Sequence, residues 1–279
     1  MDEISKNLNL KYENLKAIIK AYKSATIAFS SGVDSTLLLR VAKEVLGDNI
    51  TAVTAVSATF PRREKNEAKT FCESLGVKQI FVDYNEINEP GFKENPKDRC
   101  YICKKGLFEA FLKVSENEGR AFVLEGSNVD DLSDYRPGLK ALEELEIKSP
   151  LREANLTKDD IRRLSKALNL PTWDKQSFAC LSSRIPYGEI ITEEKLNIIE
   201  KSEDFLYDLG FRAYRVRMHE SQNVYLARIE INQNDFDKLL NEELRISIHE
   251  KLKEYGFSYV SLDLMGYRTG SLNEVLHLD

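Results

Sequence analysis

The sequence predicts an α/β fold: a doubly wound open parallel sheet followed by a smaller C-terminal α+β domain. Three observations carry this. Short apolar runs alternate with helical stretches through the first half of the chain. The first run passes straight into a serine-rich turn and then a helix, which is the opening unit of a parallel sheet. Beyond Pro150 the order changes to helix, strand, strand, helix, strand. We place the domains at 1–177 and 178–279.

Taken in order, Ile4, Leu8, Leu15, Ile18 and Ile19 recur at helical spacing over residues 4–22. Residues 25–29 read as a buried strand, 30–35 as a tight turn and 36–46 as a helix. A second strand covers 50–56, and Pro61 opens a helix to Leu75, where its missing N–H costs nothing. Strands follow at 77–82 and 121–124, separated by a helix over 104–115. Thr157 caps a helix that stops before Pro171. A loop with Pro186 and Gly188 leads to a helix from Thr192 to about Leu209, then strands at 213–218 and 224–231. Helices at 235–255 and a strand at 259–264 end the pattern.

The 279 residues are enough for two ordinary domains, and 42% apolar with 31% charged residues is a globular balance. A net charge of −6 argues against a broad grip on nucleic acid. No apolar window is long enough to span a membrane, and the N-terminal residues lack a signal pattern, so a cytoplasmic protein is expected. There the four cysteines stay reduced, which favours metal or redox chemistry over disulfides.

Ser30-Ser31-Gly32-Val33-Asp34-Ser35 lies between strand and helix. The N–H groups and dipole of a helix N-terminus attract phosphate there, and serine hydroxyls add donors. Asp34 sits comfortably beside phosphate only with a cation, so Mg²⁺ is expected on it. An ordinary capped helix has the same composition, but its place after the first buried strand favours the phosphate reading. Neither a Walker nor a dinucleotide glycine pattern occurs. The six residues resemble the SGGxDS motif of the PP-loop ATP pyrophosphatases (adenine nucleotide alpha hydrolase-like), with Ser31 in place of a glycine. The resemblance implies ATP split between its α and β phosphates to adenylate an acceptor. Two strand ends would complete the site: Ser57 near adenine, and the turn 125–131, where Gly126 allows close approach to a nucleotide.

Cys100 and Cys103 form a C-x-x-C, and Cys180 is placed in a loop, while Cys72 reads as a buried small hydrophobe on a helix. The pair suits zinc, an iron–sulfur cluster or a redox dithiol, and no second pair completes a zinc ribbon. Arg99 and Lys104 flank it; their charge favours thiolate and welcomes an anion. Arg215 and Arg217 alternate on a strand and share one face, with Tyr214 and Val216 packing inward. Paired guanidinium groups suit phosphate, although a solvated face paired with carboxylates reads equally well.

Ala179-Cys-Leu-Ser-Ser-Arg-Ile-Pro-Tyr-Gly188 and Gly266-Tyr-Arg-Thr-Gly-Ser-Leu-Asn-Glu274 resemble the LarE sulfur transferases, over nearly the whole chain. That resemblance implies adenylation of a carboxylate of pyridinium-3,5-biscarboxylic acid mononucleotide and its conversion to a thiocarboxylate, in nickel-pincer nucleotide synthesis. In one branch of that family a cysteine matching Cys180 gives up its own sulfur; in the other, three cysteines hold a 4Fe–4S cluster. The C-x-x-C places this chain with the cluster branch, on Cys100, Cys103 and Cys180. The resemblance assigns Arg215 and Arg217 to substrate phosphate, Arg184 to a negative charge beside Cys180, and Glu203 and Glu230 to a second metal. It also implies association into homo-oligomers; no motif names the sulfide donor. A cluster-dependent tRNA thiolase shares this logic, but the acidic pI and the lack of an RNA-binding appendage weigh against it. A non-catalytic nucleotide sensor with a redox-responsive cluster is the third reading.

Overall fold

The computed structural model describes residues 5–133, 137–176, 180–222, 224–268 and 270–274. The chain divides into two compact units, one of residues 1–89 with 98–178, the other of 90–97 with 179–279.

The first unit holds α1 (Lys6–Ala21), β1 (Ala25–Ala28), α2 (Val33–Leu46), β2 (Ile50–Val56), α3 (Arg62–Leu75), β3 (Gln79–Asp83), α4 (Arg99–Asn117), β4 (Phe122–Leu124), α5 (Gly138–Glu144), α6 (Pro150–Glu153) and α7 (Lys158–Ala167). Its strands form one parallel sheet in the order β3-β2-β1-β4. Each strand is apolar on both faces because both faces are covered. Ala25, Ile27 and Phe29 pack into a core with α1, α2, α3 and α7, while Val53 and Val123 face a second core built on Phe108 and Phe111 of α4 and Leu142 of α5. Thr26, on β1, donates to Ser115 of α4 at 3.1 Å, so the polar residue on this buried strand is satisfied. Cys72 lies in the first core as expected, and burial pushes its thiol up to about 12.

Two helix starts differ from the sequence expectation. Pro61 is the cap of α3 and not its first helical residue. The helix predicted over 104–115 begins at Arg99, so Cys100 and Cys103 lie in its first turn and not in a loop. Thr157 does cap α7, within a full capping box with Asp160.

The second unit holds α8 (Glu193–Asp208), β5 (Tyr214–Ser221), β6 (Val224–Ile231), α9 (Glu242–Tyr255) and β7 (Tyr259–Leu262). β5 and β6 pair antiparallel, and β7 adds parallel to β6. The helices predicted across 235–255 resolve into a 3₁₀ stretch, Gln233–Leu240, and α9. Segment 90–97 belongs to this unit through its backbone: Gly188 donates to Asn95 O at 2.9 Å and Ile191 to Lys93 O at 2.8 Å. Sequence alone assigned those residues to the first domain.

Gly266 sits after β7 with φ +68°, and a Cβ there would lie 2.6 Å from the Ile231 carbonyl oxygen. Only glycine meets both conditions. Gly266→Ala is expected to remove about 2 kcal/mol or more of stability, read as a lowered urea midpoint with unchanged slope.

Candidate functional site

β1 is flanked by β2 on one side and β4 on the other, so the strand order reverses between β1 and β4. Ligands of open α/β sheets bind at the carboxyl ends of strands at such a point. Ser30 to Gly32 lie there, and Gly32 caps α2 without a side-chain bond. Thr36 is the first residue bonded back into the helix, its N–H reaching Gly32 O at 2.9 Å. The N–H groups of Val33 to Ser35 therefore lie in the turn that has no intrahelical acceptors. The hydroxyls of Ser30 and Ser35 stand 3.2 Å apart, and Ser35 also donates to Gly32 O. Ser31 is buried with φ +57°, a left-handed backbone that a side chain disfavours.

The loop after β4 closes against this turn. A Cβ on Gly126 would meet Ser35 N at 3.1 Å and Asp34 Cβ at 3.2 Å. Gly126 was expected to admit a nucleotide; the close approach it permits here is to the first turn of α2. Glu125 is buried and accepts from Ser127 N and Oγ and from Ser149. Asn128 donates to Asp34 Oδ1 at 3.2 Å, and Lys158, the first residue of α7, pairs with Asp34 Oδ2. Lys175 donates to Ser31 O at 3.1 Å and pairs with Glu64 and Glu67 of α3. Ser57 follows β2, its hydroxyl 3.2 Å from that of Thr59. Sequence reasoning missed Asn128, Lys158, Lys175 and Glu64. Thr157 as cap fixes Lys158 at the helix start, but nothing in spacing shows a lysine folded back on Asp34.

Cys100 is exposed and Cys103 partly exposed, one turn of helix apart and so on one face of α4. Arg99, expected to welcome an anion, is buried. Lys104 packs its stem against Gly138 of α5, where a Cβ would come within 2.7 Å of Lys104 Cδ. In the second unit, Cys180 is exposed at the start of the 3₁₀ turn Leu181–Arg184. Its carbonyl accepts from Arg184 Nη1 at 3.1 Å. Among the described residues, no three of His, Cys, Asp and Glu are grouped to hold a metal ion.

The arginines differ most from expectation. Arg184 is fully buried and binds Glu203 with two hydrogen bonds, 2.9 and 2.8 Å. Burial would raise the Glu203 carboxyl, but the Arg184 charge beside it holds it below its ordinary range. Glu203 Oε1 also accepts from Val216 N at 2.9 Å, satisfying β5 at the open edge of the sheet. Arg217 pairs with Glu230 at 2.8 Å and donates to Ser183 O and Ser271 Oγ. Arg215 lies over the Tyr267 ring and donates to Tyr214 O. Burial, then the Arg184 charge, pulls it down to about 10. Both β5 faces are thus buried, because the Cys180 turn and the segment through Ser271 cover the arginine side. Glu203 and Glu230, expected at a metal, stand here as partners of these guanidinium groups.

The NAD synthase family profile matches residues 12–107, the stretch from α1 through the phosphate loop into α4. An uncharacterized protein of Synechocystis is 40% identical over 96% of this chain and 99% of its own length. The pyridinium-3,5-bisthiocarboxylic acid mononucleotide synthase of Lactiplantibacillus plantarum is 37% identical over 96% of both chains. The chain belongs to the LarE family. A glutamine-hydrolyzing GMP synthase component of Methanocaldococcus jannaschii, 29% identical over 64% of this chain and 62% of its own, shares the more distant PP-loop relationship. The expected fold is the observed one, a PP-loop α/β unit with a small mixed sheet beside it. Among the described residues of this LarE-family chain, no helix is long and apolar enough to cross a membrane.

Two measurements test the buried network of the second unit. Arg184→Met strands the Glu203 charge and is expected to cost about 3–5 kcal/mol in urea unfolding, whereas Arg184→Met with Glu203→Leu recovers most of it. His219 accepts from Arg228 at 3.1 Å, and burial first, then that guanidinium, lowers its pKa. The folded chain thus holds the imidazole neutral while the unfolded one protonates near pH ~6.5. Stability is expected to fall as pH drops below that value, and His219→Gln to flatten the fall.

Proposed function

We propose that this chain is an ATP-dependent sulfur transferase that adenylates a carboxylate of pyridinium-3,5-biscarboxylic acid mononucleotide and converts it to a thiocarboxylate. The observation that carries the reading is the free turn of α2 at the β1/β4 switch point, flanked by Lys158, in a chain 37% identical to a synthase of the bisthiocarboxylic acid product. Ser30 to Ser35 receive the ATP phosphates through backbone N–H groups and hydroxyls, with Ser57 and Gly126 bounding the nucleotide. Asp34 is a hard oxygen donor suited to Mg²⁺, which takes one carboxylate and fills its remaining positions with phosphate oxygens and water. Lys158, released from Asp34 when a metal takes that carboxylate, faces the departing pyrophosphate. The substrate carboxylate oxygen bonds to the α-phosphorus, the bond to the β-phosphate breaks, and pyrophosphate leaves with the electron pair. N–H groups and Lys158 stabilise that charge without a proton transfer.

The acyl adenylate then accepts a sulfur nucleophile at its carbonyl carbon: a C–S bond forms and AMP leaves with the C–O pair. Cys100, Cys103 and Cys180 are thiols with solvent access, the soft donors an iron–sulfur cluster takes. They would hold a 4Fe–4S cluster, which supplies carried sulfide as the sulfur source. Arg184 positions the Cys180 peptide through its carbonyl, and Arg215 and Arg217 receive the substrate phosphate. Arg215, crowded by Arg184, gains most from an arriving anion. A dicarboxylate needs two rounds.

Protein purified without oxygen is expected to contain about four irons and four labile sulfides per chain. Cys180→Ala is expected to abolish thiocarboxylate formation while ATP still yields pyrophosphate. Zinc in place of iron, or undiminished sulfur transfer by Cys180→Ala, would sink the cluster role. Lys158→Met is expected to slow pyrophosphate release about 10²-fold or more, and an unchanged rate would remove its electrostatic part.

A further inference from the structure

We propose that Lys175 is a positioning residue that clamps Ser31 in its left-handed conformation, so that the next peptide N–H, of Gly32, is turned toward the nucleotide phosphates. The proposal rests on the reading of residues 30–35 as the ATP site. Its starting point is the departure of this chain from SGGxDS: a serine stands where the motif has glycine, and it adopts φ +57°. A Cβ makes that backbone unfavourable, so another contact must hold it.

The contact present is the one from Lys175. An ammonium group has three N–H donors and no acceptor. Those of Lys175 have three acceptors: Ser31 O at 3.1 Å, Glu64 Oε2 at 2.6 Å, and Glu67 Oε2. Glu64 and Glu67 are one helical turn apart on α3, and the Glu64 side chain is 2% exposed, so the ammonium is anchored to a rigid element. With all three donors engaged, Lys175 is not a phosphate ligand. Its effect passes through the backbone. A trans peptide points its C=O and N–H in opposite directions, so drawing the Ser31 carbonyl onto Lys175 turns the Gly32 N–H away from it. Lys158 and Lys175 thus have separate tasks in the same site: one faces Asp34, the other shapes the loop.

The test is a double-mutant cycle between residues 31 and 175, read as the Kd for α,β-methylene-ATP with Mg²⁺ by calorimetry. Glycine at position 31 adopts the left-handed backbone without help, so it removes the need for the clamp. Lys175→Met is expected to weaken binding about tenfold in the Ser31 chain and about twofold or less in the Ser31→Gly chain. Glu67→Gln, which loosens the ammonium without deleting it, serves where Lys175→Met does not fold; its smaller loss is expected to show the same dependence on residue 31. An equal loss in both backgrounds, or no loss in either, overturns the clamp. A wild-type chain that binds no nucleotide overturns the ATP reading itself, and the role of Lys175 with it.

Discussion

The arrangement depends on one backbone constraint: the first turn of a helix has N–H groups that its own carbonyls cannot satisfy. In α2 that turn lies at the end of β1, where neighbouring strands diverge to either side. The parallel sheet produces this position, since β1 runs into α2 through four residues and the chain crosses to β4 on the opposite flank. The loop after β4 then fits against the turn because Gly126 leaves room for the backbone of Ser35. Asn128 and Lys158 come to Asp34 from loops and helix starts fixed by that same packing. Phosphate chemistry is thus prepared by main chain, and side chains add charge at its margins.

The second unit solves a different problem. A three-stranded sheet leaves β5 with an open edge, and Glu203 covers it by accepting from Val216 N. A buried carboxylate is tolerable only with a counter-charge, which Arg184 supplies through two hydrogen bonds. The same pattern recurs at Glu230, which serves Arg217, Arg228 and Ser271 together. Arginine suits such places because its planar fork meets a carboxylate at two points. Arg184 also donates to the Cys180 carbonyl, so the network that seals the sheet edge orients the peptide of an exposed thiol.

Much of this was legible in the chain. Apolar runs gave the four parallel strands, and Ser-Ser-Gly-Val-Asp-Ser marked the helix start, because both signals are local. The C-x-x-C was visible as a motif, yet its placement in a helix was not: Lys97-Asp98-Arg99 carries no strong capping pattern, and Asp98 makes no side-chain cap. Alternation correctly placed Arg215 and Arg217 on one face of β5. It could not show that this face is buried, since the cover comes from residues 180–184 and 271, distant in sequence. Lys175 escaped notice for the same reason: its partners Glu64 and Glu67 lie more than 100 residues away.

A chain of net charge −6 that handles nucleotides must overcome its own repulsion of phosphate. Surface cations do little toward this, because many face carboxylates one helical turn away, as Arg40 does Glu44 and Lys140 does Glu144. Such pairs cancel at a distance and are screened by salt. What remains is short-range: oriented N–H groups at α2, Lys158 beside Asp34, and guanidinium groups buried behind β5. Field from these groups is felt only by an anion that has already entered and displaced water. Acidity of the surface and affinity for phosphate are therefore compatible, and selectivity falls to the fit of the phosphate within each site and not to long-range attraction.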